Sequence, residues 1–248
     1  VEKVNLGSSN LLPEEDLYGK ALYDYYNGKN ADDLVINTSY GDKEEMPVEV
    51  FFRDFDDFPI LEAIAIEACA GKVLDVGAGT GCHSLILQEK DLLVNPIDIS
   101  PYCVEIMQKR GIENVFLCDF FSIQKGKYDT ILMLMNGLGV VGKLANLSLF
   151  LKHCEKILAP GGKVLFDSSD VSYLNHEFGI EPTQDYIGEV AYQYLYKGKV
   201  GNWFDWLYVD KDLMKSLVTD AGWVFELLFE DENQQYLASI QKKNHNIL

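Results

Sequence analysis

One stretch, Lys72 to Gln88 (KVLDVGAGTGCHSLILQ), constrains the fold more than any other. Val73, Leu74, Asp75 and Val76 form a short, mostly apolar, β-branched run, which predicts a buried strand. Gly77, Gly79 and Gly81 follow at every second position. Ser84 to Gln88 then carries apolar residues without a breaker, so a helix starts there. Strand, glycine turn and helix together form the first βα unit of a nucleotide-binding sheet. Glycine lets the backbone turn sharply and lets a ligand approach it, and the helix N-terminus aims unpaired N–H groups into the turn.

At 248 residues, 48% of them apolar, the chain is long enough for one α/β domain with an insertion or a small lid. The net charge of -18 disfavours nucleic acid and anionic membrane surfaces, which attract basic patches. Cys69, Cys82, Cys103, Cys118 and Cys154 are scattered and never form C-x-x-C, so buried thiols in a reducing, cytoplasmic compartment are expected. No charged head followed by an apolar core opens the chain, and the longest apolar stretch, Thr130 to Val141, is too short to span a bilayer. Among the histidines, His83 opens the helix after Gly81, while His153, His176 and His245 read as surface or loop residues.

Residues 1–58 read as an N-terminal helical arm or lid. Pro13 to Asp16 looks like a helix start, and Leu17, Tyr18, Leu22, Tyr25 and Tyr26 lie at helical spacing before Asn27-Gly28. Residues 59–248 read as the main domain. Pro59 to Ala70 is an apolar helix closed by Gly71. Leu92 to Asp98 is a second strand, where Pro96 predicts a bulge or a late start. Asn114 to Cys118 is a third strand, and Thr130 to Met135 a central one. Leu144 to Leu158 is an amphipathic helix and Lys163 to Asp167 a fifth strand. Within an insertion at 168–210, Val190, Tyr192, Tyr194 and Tyr196 alternate, a turn follows at Lys197 to Gly201, and Trp203 to Val209 returns. This aromatic hairpin either contacts an acceptor or forms a packing layer. Trp223 to Phe229 and Tyr236 to Gln241 close the sheet as an antiparallel pair.

Asp75-Val76-Gly77-Ala78-Gly79-Thr80-Gly81 departs from the dinucleotide pattern G-x-G-x-x-G and resembles the first motif of class I S-adenosylmethionine (SAM) methyltransferases. Leu158 to Leu165 resembles the family's L-x-P-G-G-x-V/L-L segment, and the antiparallel ending is similar too. The resemblance covers roughly residues 60–167 and 210–241 and implies an α/β fold. Its seven-stranded, mostly parallel sheet has helices on both faces and an antiparallel final strand, with the arm and the inserted hairpin added. It implies SAM as cofactor, held by Asp75, Gly77, Ala78, Gly79 and Gly81 at the turn. Asp98 and Ile99 would meet the ribose, and Asp119 and Phe120 the adenine. Asn136 would face both the methionine part and the substrate, with Tyr194 and Trp203 as further substrate residues. Arg53, a lone cation before the domain, either meets the SAM carboxylate or pairs with Asp54 or Asp56.

The function implied is methyl transfer to a small molecule by in-line displacement. The alternatives are an aminopropyltransferase using decarboxylated SAM and a non-catalytic SAM-binding scaffold, with a dehydrogenase more distant. The D/N-P-P-Y/F signature of base-amino methylation is missing from Asn136-Gly137-Leu138-Gly139, and so is the paired-acid set of metal-assisted catechol methylation, so no metal is expected. No residue identifies itself as a catalytic base, and the sequence leaves the oligomeric state open.

Overall fold

The computed structural model describes residues 10–30, 34–41, 43–174 and 186–243. His176, His245, the first nine residues of the arm and part of the insertion lie outside them. In chain order the elements are α1 (Leu17–Tyr26), β1 (Val35–Thr38), β2 (Lys43–Glu45), α2 (Ile60–Ala68), β3 (Lys72–Val76), α3 (Cys82–Glu89), β4 (Leu93–Asp98), α4 (Pro101–Lys109) and β5 (Phe116–Leu117). Then come β6 (Tyr128–Met133), α5 (Leu147–Ile157), β7 (Leu158–Ser169), β8 (Glu189–Tyr196), β9 (Lys199–Leu207), α6 (Lys211–Asp220), β10 (Trp223–Glu230) and β11 (Gln235–Lys242).

Seven strands form the main sheet in the order β10-β11-β7-β6-β3-β4-β5. Only β11 runs against its neighbours, pairing antiparallel with both β7 and β10. Alternate residues of β6 enter opposite cores. Ile131 and Met133 pack with Phe150 and Cys154 of α5 and Met214 of α6. Leu132 and Leu134 pack with Leu61 and Ala65 of α2 and Leu87 of α3. A strand covered on both faces has no polar side, which is why 130–135 reads as continuous apolar sequence. Among the described residues, no helix is long and apolar enough to cross a membrane.

Pro96 causes neither a bulge nor a late start, because β3 and β4 pair without interruption from Lys72↔Leu93 to Val76↔Ile97. The Ile97 carbonyl accepts from Ala78 N on the β3 side, and the Asp98 carbonyl accepts from Cys118 N on the β5 side. By alternation Pro96 directs its missing N–H towards β5, which pairs only from Ile97 onward. The proline therefore removes no ladder bond.

The arm is helical only in part. β1 pairs with β2 and also with β8, so arm and insertion build one antiparallel sheet, β2-β1-β8-β9. The acids at 14–16 precede α1 rather than filling its first turn, and Asp16 is the N-cap, accepting from Gly19 N at 2.8 Å. Leu17, Ala21 and Leu22 of α1 share a core with Cys103 and Ile106 of α4 and with Tyr196 of β8. The helix is thus wedged between the main domain and the second sheet.

Candidate active site

The turn after β3 opens upward. Gly77 has φ +66° and Gly79 φ +57°, a region costly for side chains. A Cβ on Gly77 would meet nothing within 4 Å, and one on Gly79 would meet only the Tyr18 hydroxyl at 3.5 Å. Beneath the turn, Asp75 is buried and accepts from Ser84 Oγ at 2.6 Å, and burial raises its pKa. Asp98 ends β4, accepting from Gly79 N with Oδ2 at 2.9 Å and from Ser100 N with Oδ1 at 2.8 Å. With Ile99 N also donating, these bonds leave part of the carboxylate's acceptor capacity open. Burial pushes the Asp98 carboxyl up to about 6 against the N–H groups of Ser100, Gly79 and Ile99. Asp119 follows β5 and accepts from Phe121 N at 2.7 Å. Phe120 points into the core, its ring 4.8 Å from His153, which is a half-buried residue of α5 rather than a surface or loop one. Ile99 is half-buried and its carbonyl accepts from Leu11 N at 2.9 Å.

The roof comes from the arm and the insertion. Ser100 caps α4, accepting from Cys103 N at 3.0 Å, and its hydroxyl donates to Asp16, the cap of α1. Two helix caps therefore fasten the arm to the strand end that carries Asp98. Tyr18 stacks on Tyr194 at 5.3 Å, Tyr194 meets Phe204 at a tilt at 5.0 Å, and Phe204 meets Trp206 edge-on at 6.3 Å. Trp206 closes on Gly139, where an added Cβ would come within 2.0 Å of the indole. One aromatic row thus runs from the glycine turn to the turn after β6. Trp203 is not in it. It pairs with Gln193, one residue off the tyrosine register, and is 51% exposed on the other face. Trp206, opposite Val190, takes the inward position expected of Trp203.

After β6 the chain passes through Met135 (φ 62°) and Asn136 (φ 56°), two consecutive left-handed non-glycine residues. Asp167, fully buried on β7, holds them, accepting from Asn136 N at 2.9 Å, Gly137 N at 3.2 Å and Gln235 Nε2 at 2.9 Å. Burial pushes this carboxyl too up to about 6. Ser169 Oγ donates to Asn136 Oδ1 at 2.8 Å, which leaves the amide NH2 as the uncommitted end.

Arg53 pairs with neither Asp54 nor Asp56. Its Nη2 donates to Glu62 Oε1 at 2.8 Å and Oε2 at 3.0 Å, and His83 Nε2 meets Glu62 Oε2 at 2.7 Å. Burial favours the neutral Glu62, but His83 and Arg53 outweigh it and hold the carboxyl below its ordinary value. Burial also opposes the His83 cation, yet Cys82, Glu62 and Asp75 raise its pKa well above the ordinary value. Arg53, Glu62, Met135, Asn136 and Gln235 border a cavity of about 300 Å³.

A methyltransferase-domain family matches residues 52–224. A SAM-dependent methyltransferase from Bacteroides fragilis, solved in complex with S-adenosyl-L-homocysteine (SAH), is 39% identical over 94% of this chain and 98% of that one, with a TM-score of 0.87. The chain belongs to the SAM-dependent methyltransferases. DhpI, solved with SAM and HEP, shares the fold at 19% identity and a TM-score of 0.59, over 95% of this chain and all (100%) of that one. The CcbJ methyltransferase from Streptomyces caelestis shares it at 14% and 0.54, over 76% and 94%. No curated protein matches.

In this methyltransferase the structure gathers Gly77, Ala78, Gly79, Gly81 and Asp98 around one turn, with Asp75 beneath it. Asn136 stands at the next strand end with Arg53 beside it, and Tyr194 lies overhead. Sequence reasoning missed Glu62, Asp167, Tyr18 and Trp206. Glu62 carried a signal, being a lone acid in the first turn of the apolar helix ILEAIAIEA. Asp167 carried only its place at a strand end, and Trp206 depended on hairpin register.

Proposed function

We propose that this methyltransferase moves the methyl group of SAM to a small-molecule acceptor held at the Asn136 end of the turn after β6, beside the aromatic roof. The observation that carries the reading is the glycine turn that opens under Tyr18 beside Asp98. The residues present fit the cofactor. Gly77 offers backbone that no side chain covers, Asp98 offers two paired acceptors for ribose hydroxyls, and Asp119 marks the adenine end over β5. Ile99 lies on the adenosine side, whereas Phe120, expected there, is turned into the core against Phe150 and His153, and Asn136 lies where methionine part and acceptor meet.

When bound, SAM supplies an activated methyl group. The chain's residues orient and enclose. The acceptor's lone pair forms the new bond to carbon while the S–CH3 pair returns to sulfur. Among the described side chains around the cavity no unpaired base is present, because Glu62 is held by both Arg53 and His83. An acceptor that carries a proton releases it to water. Holding the two reactants in line is worth on the order of 7 kcal/mol or more in favourable cases.

Titration calorimetry with SAM, SAH, decarboxylated SAM and NAD tests this reading. Binding of SAM and SAH with NAD silent supports it. Preference for decarboxylated SAM moves the reading to aminopropyl transfer. Binding without turnover across an acceptor screen leaves a SAM-binding scaffold.

The hairpin's inward ring is assigned to acceptor choice. Trp206→Ala should leave SAM affinity within about twofold and raise the acceptor KM by about tenfold, as loss of one aromatic contact worth about 1.4 kcal/mol implies. Steady-state kinetics with whichever acceptor the screen yields decides it. An unchanged KM would leave Trp206 as packing only.

A further inference from the structure

We propose that the cavity bordered by Arg53 and Asn136 is a carboxylate-binding subsite, and that the acceptor brings the carboxylate. The inference rests on the methyl-transfer reading and names the acceptor class for the same site. It starts from hydrogen-bond inventory. Both Glu62 oxygens meet the single Nη2 of Arg53, so Nε and Nη1 stay uncommitted. The Arg53 Nε is buried and unpartnered, a state shared by one other side-chain atom, His153 Nε2, among the described residues. Buried donors without acceptors are costly, so the guanidinium keeps unspent hydrogen-bonding capacity where it borders the cavity.

The neighbours point the same way. Asn136 spends its carbonyl on Ser169, which turns its NH2 into a donor. Gln235 is the exception, since it spends its NH2 on Asp167 and keeps its carbonyl as an open acceptor. Glu62, the carboxylate that borders the cavity, is already engaged by Arg53 and by His83. Donors therefore outnumber open acceptors, and the fork of an arginine matches the two oxygens of a carboxylate. In a chain of net charge -18, a half-buried arginine with spare donors is an unusual place for an anion to be welcome.

Position favours the acceptor over the donor's own carboxylate. Asp119, Asp98 and the glycine turn follow β5, β4 and β3, and Asn136 follows β6. Adenine to methionine is accommodated over those neighbouring strand ends, at about 4.8 Å per strand. Gln235 begins β11, two strands further on, so the cavity extends past the donor. The turn that carries Asn136 also carries Gly139, on which Trp206 packs, so an aromatic ring closes the far end of the same turn.

Benzoate and benzamide form a matched probe pair, equal in shape and unlike in charge. Calorimetry on the full chain saturated with SAH should give benzoate at least a tenfold advantage. Arg53→Gln should remove that advantage while SAH affinity moves less than threefold. Arg53→Lys, which keeps the charge and loses the fork, should retain part of it and guards against a Gln variant that fails to fold. No preference for benzoate in the wild type overturns the proposal. So does an Arg53→Gln variant that loses SAM and SAH tenfold but keeps methylthioadenosine, because the donor's carboxylate would then own Arg53. The pair is also run without SAH. A benzoate preference in a chain that does not bind SAH would remove the methyl-transfer reading and leave the subsite standing.

Discussion

Asp98→Ala is expected to weaken SAM and SAH binding alike by about 1.5–3 kcal/mol, the range for hydrogen bonds to a charged group. The carboxylate sits at the end of β4, oriented by Gly79 N and Ser100 N, so the proposed ribose contact would meet a fixed acceptor. Because the ribose is common to substrate and product, the ratio of their affinities should not move. Calorimetry reads both, and an unchanged affinity would remove Asp98 from the site. A pH profile adds a sign. Burial raises the Asp98 carboxyl to about 6, above its ordinary 3.8. The folded protein therefore holds this proton more tightly than the unfolded chain does. The group's contribution to stability is fully present below about 4 and is lost as pH rises through 6. Ligand binding runs the other way, since hydroxyls that donate to the carboxylate favour its charged form. SAM affinity should fall on the order of tenfold from pH 7 to pH 5, and Asp98→Ala should flatten that slope. A wild-type affinity that is flat across this range would mean that Asp98 does not titrate with the ligand.

What the sequence disclosed divides along local and non-local lines. The glycine turn, the strand that feeds it and the acid ending the next strand are legible because each depends on residues close in the chain. Pro96 was misleading for a geometric reason. Strand periodicity says that a proline lacks an N–H, but only the pairing partner says whether that N–H was needed, and β5 begins one residue too late to need it. Trp203 and Trp206 were separated by the same kind of fact. Both lie on β9 in a run of aromatics, and the choice between them depends on register with β8, including the irregularity between Gln193 and Leu195. The joining of β1 to β8 spans more than 150 residues of chain and leaves no local trace, so a helical arm and a hairpin read as separate when they are one roof. Arg53 shows the limit for charges. Asp54 and Asp56 are its neighbours in sequence, yet the fold gives it Glu62, which also meets His83 across the α2–α3 contact.

Asp167→Ala is expected to destabilise the protein by about 2–4 kcal/mol, and the estimate follows from opposed terms. Three donors lose their acceptor, and two of them are the backbone N–H groups of Asn136 and Gly137. At about 1–3 kcal/mol for each buried donor left unpaired, the loss is on the order of 6 kcal/mol. Removing the carboxylate also removes a charge that the site disfavours. Its rise from 3.8 to about 6 corresponds to about 3 kcal/mol recovered above that pH. About 3 kcal/mol of loss remains, and any left-handed strain at Met135 and Asn136 that relaxes once the anchor is gone lowers it, which sets the lower end of the expected range. Chemical denaturation gives the stability change, and amide exchange at Asn136 and Gly137 should quicken by more than tenfold beyond the global effect. Asp167→Asn separates the terms. It is neutral, so the desolvation cost disappears, but its NH2 must face at least one of the same donors. It should recover part of the stability while the turn's amides still exchange quickly. An alanine variant as stable as wild type, with protected amides at Asn136 and Gly137, would show that the chain holds this turn unaided and that Asp167 does not position Asn136.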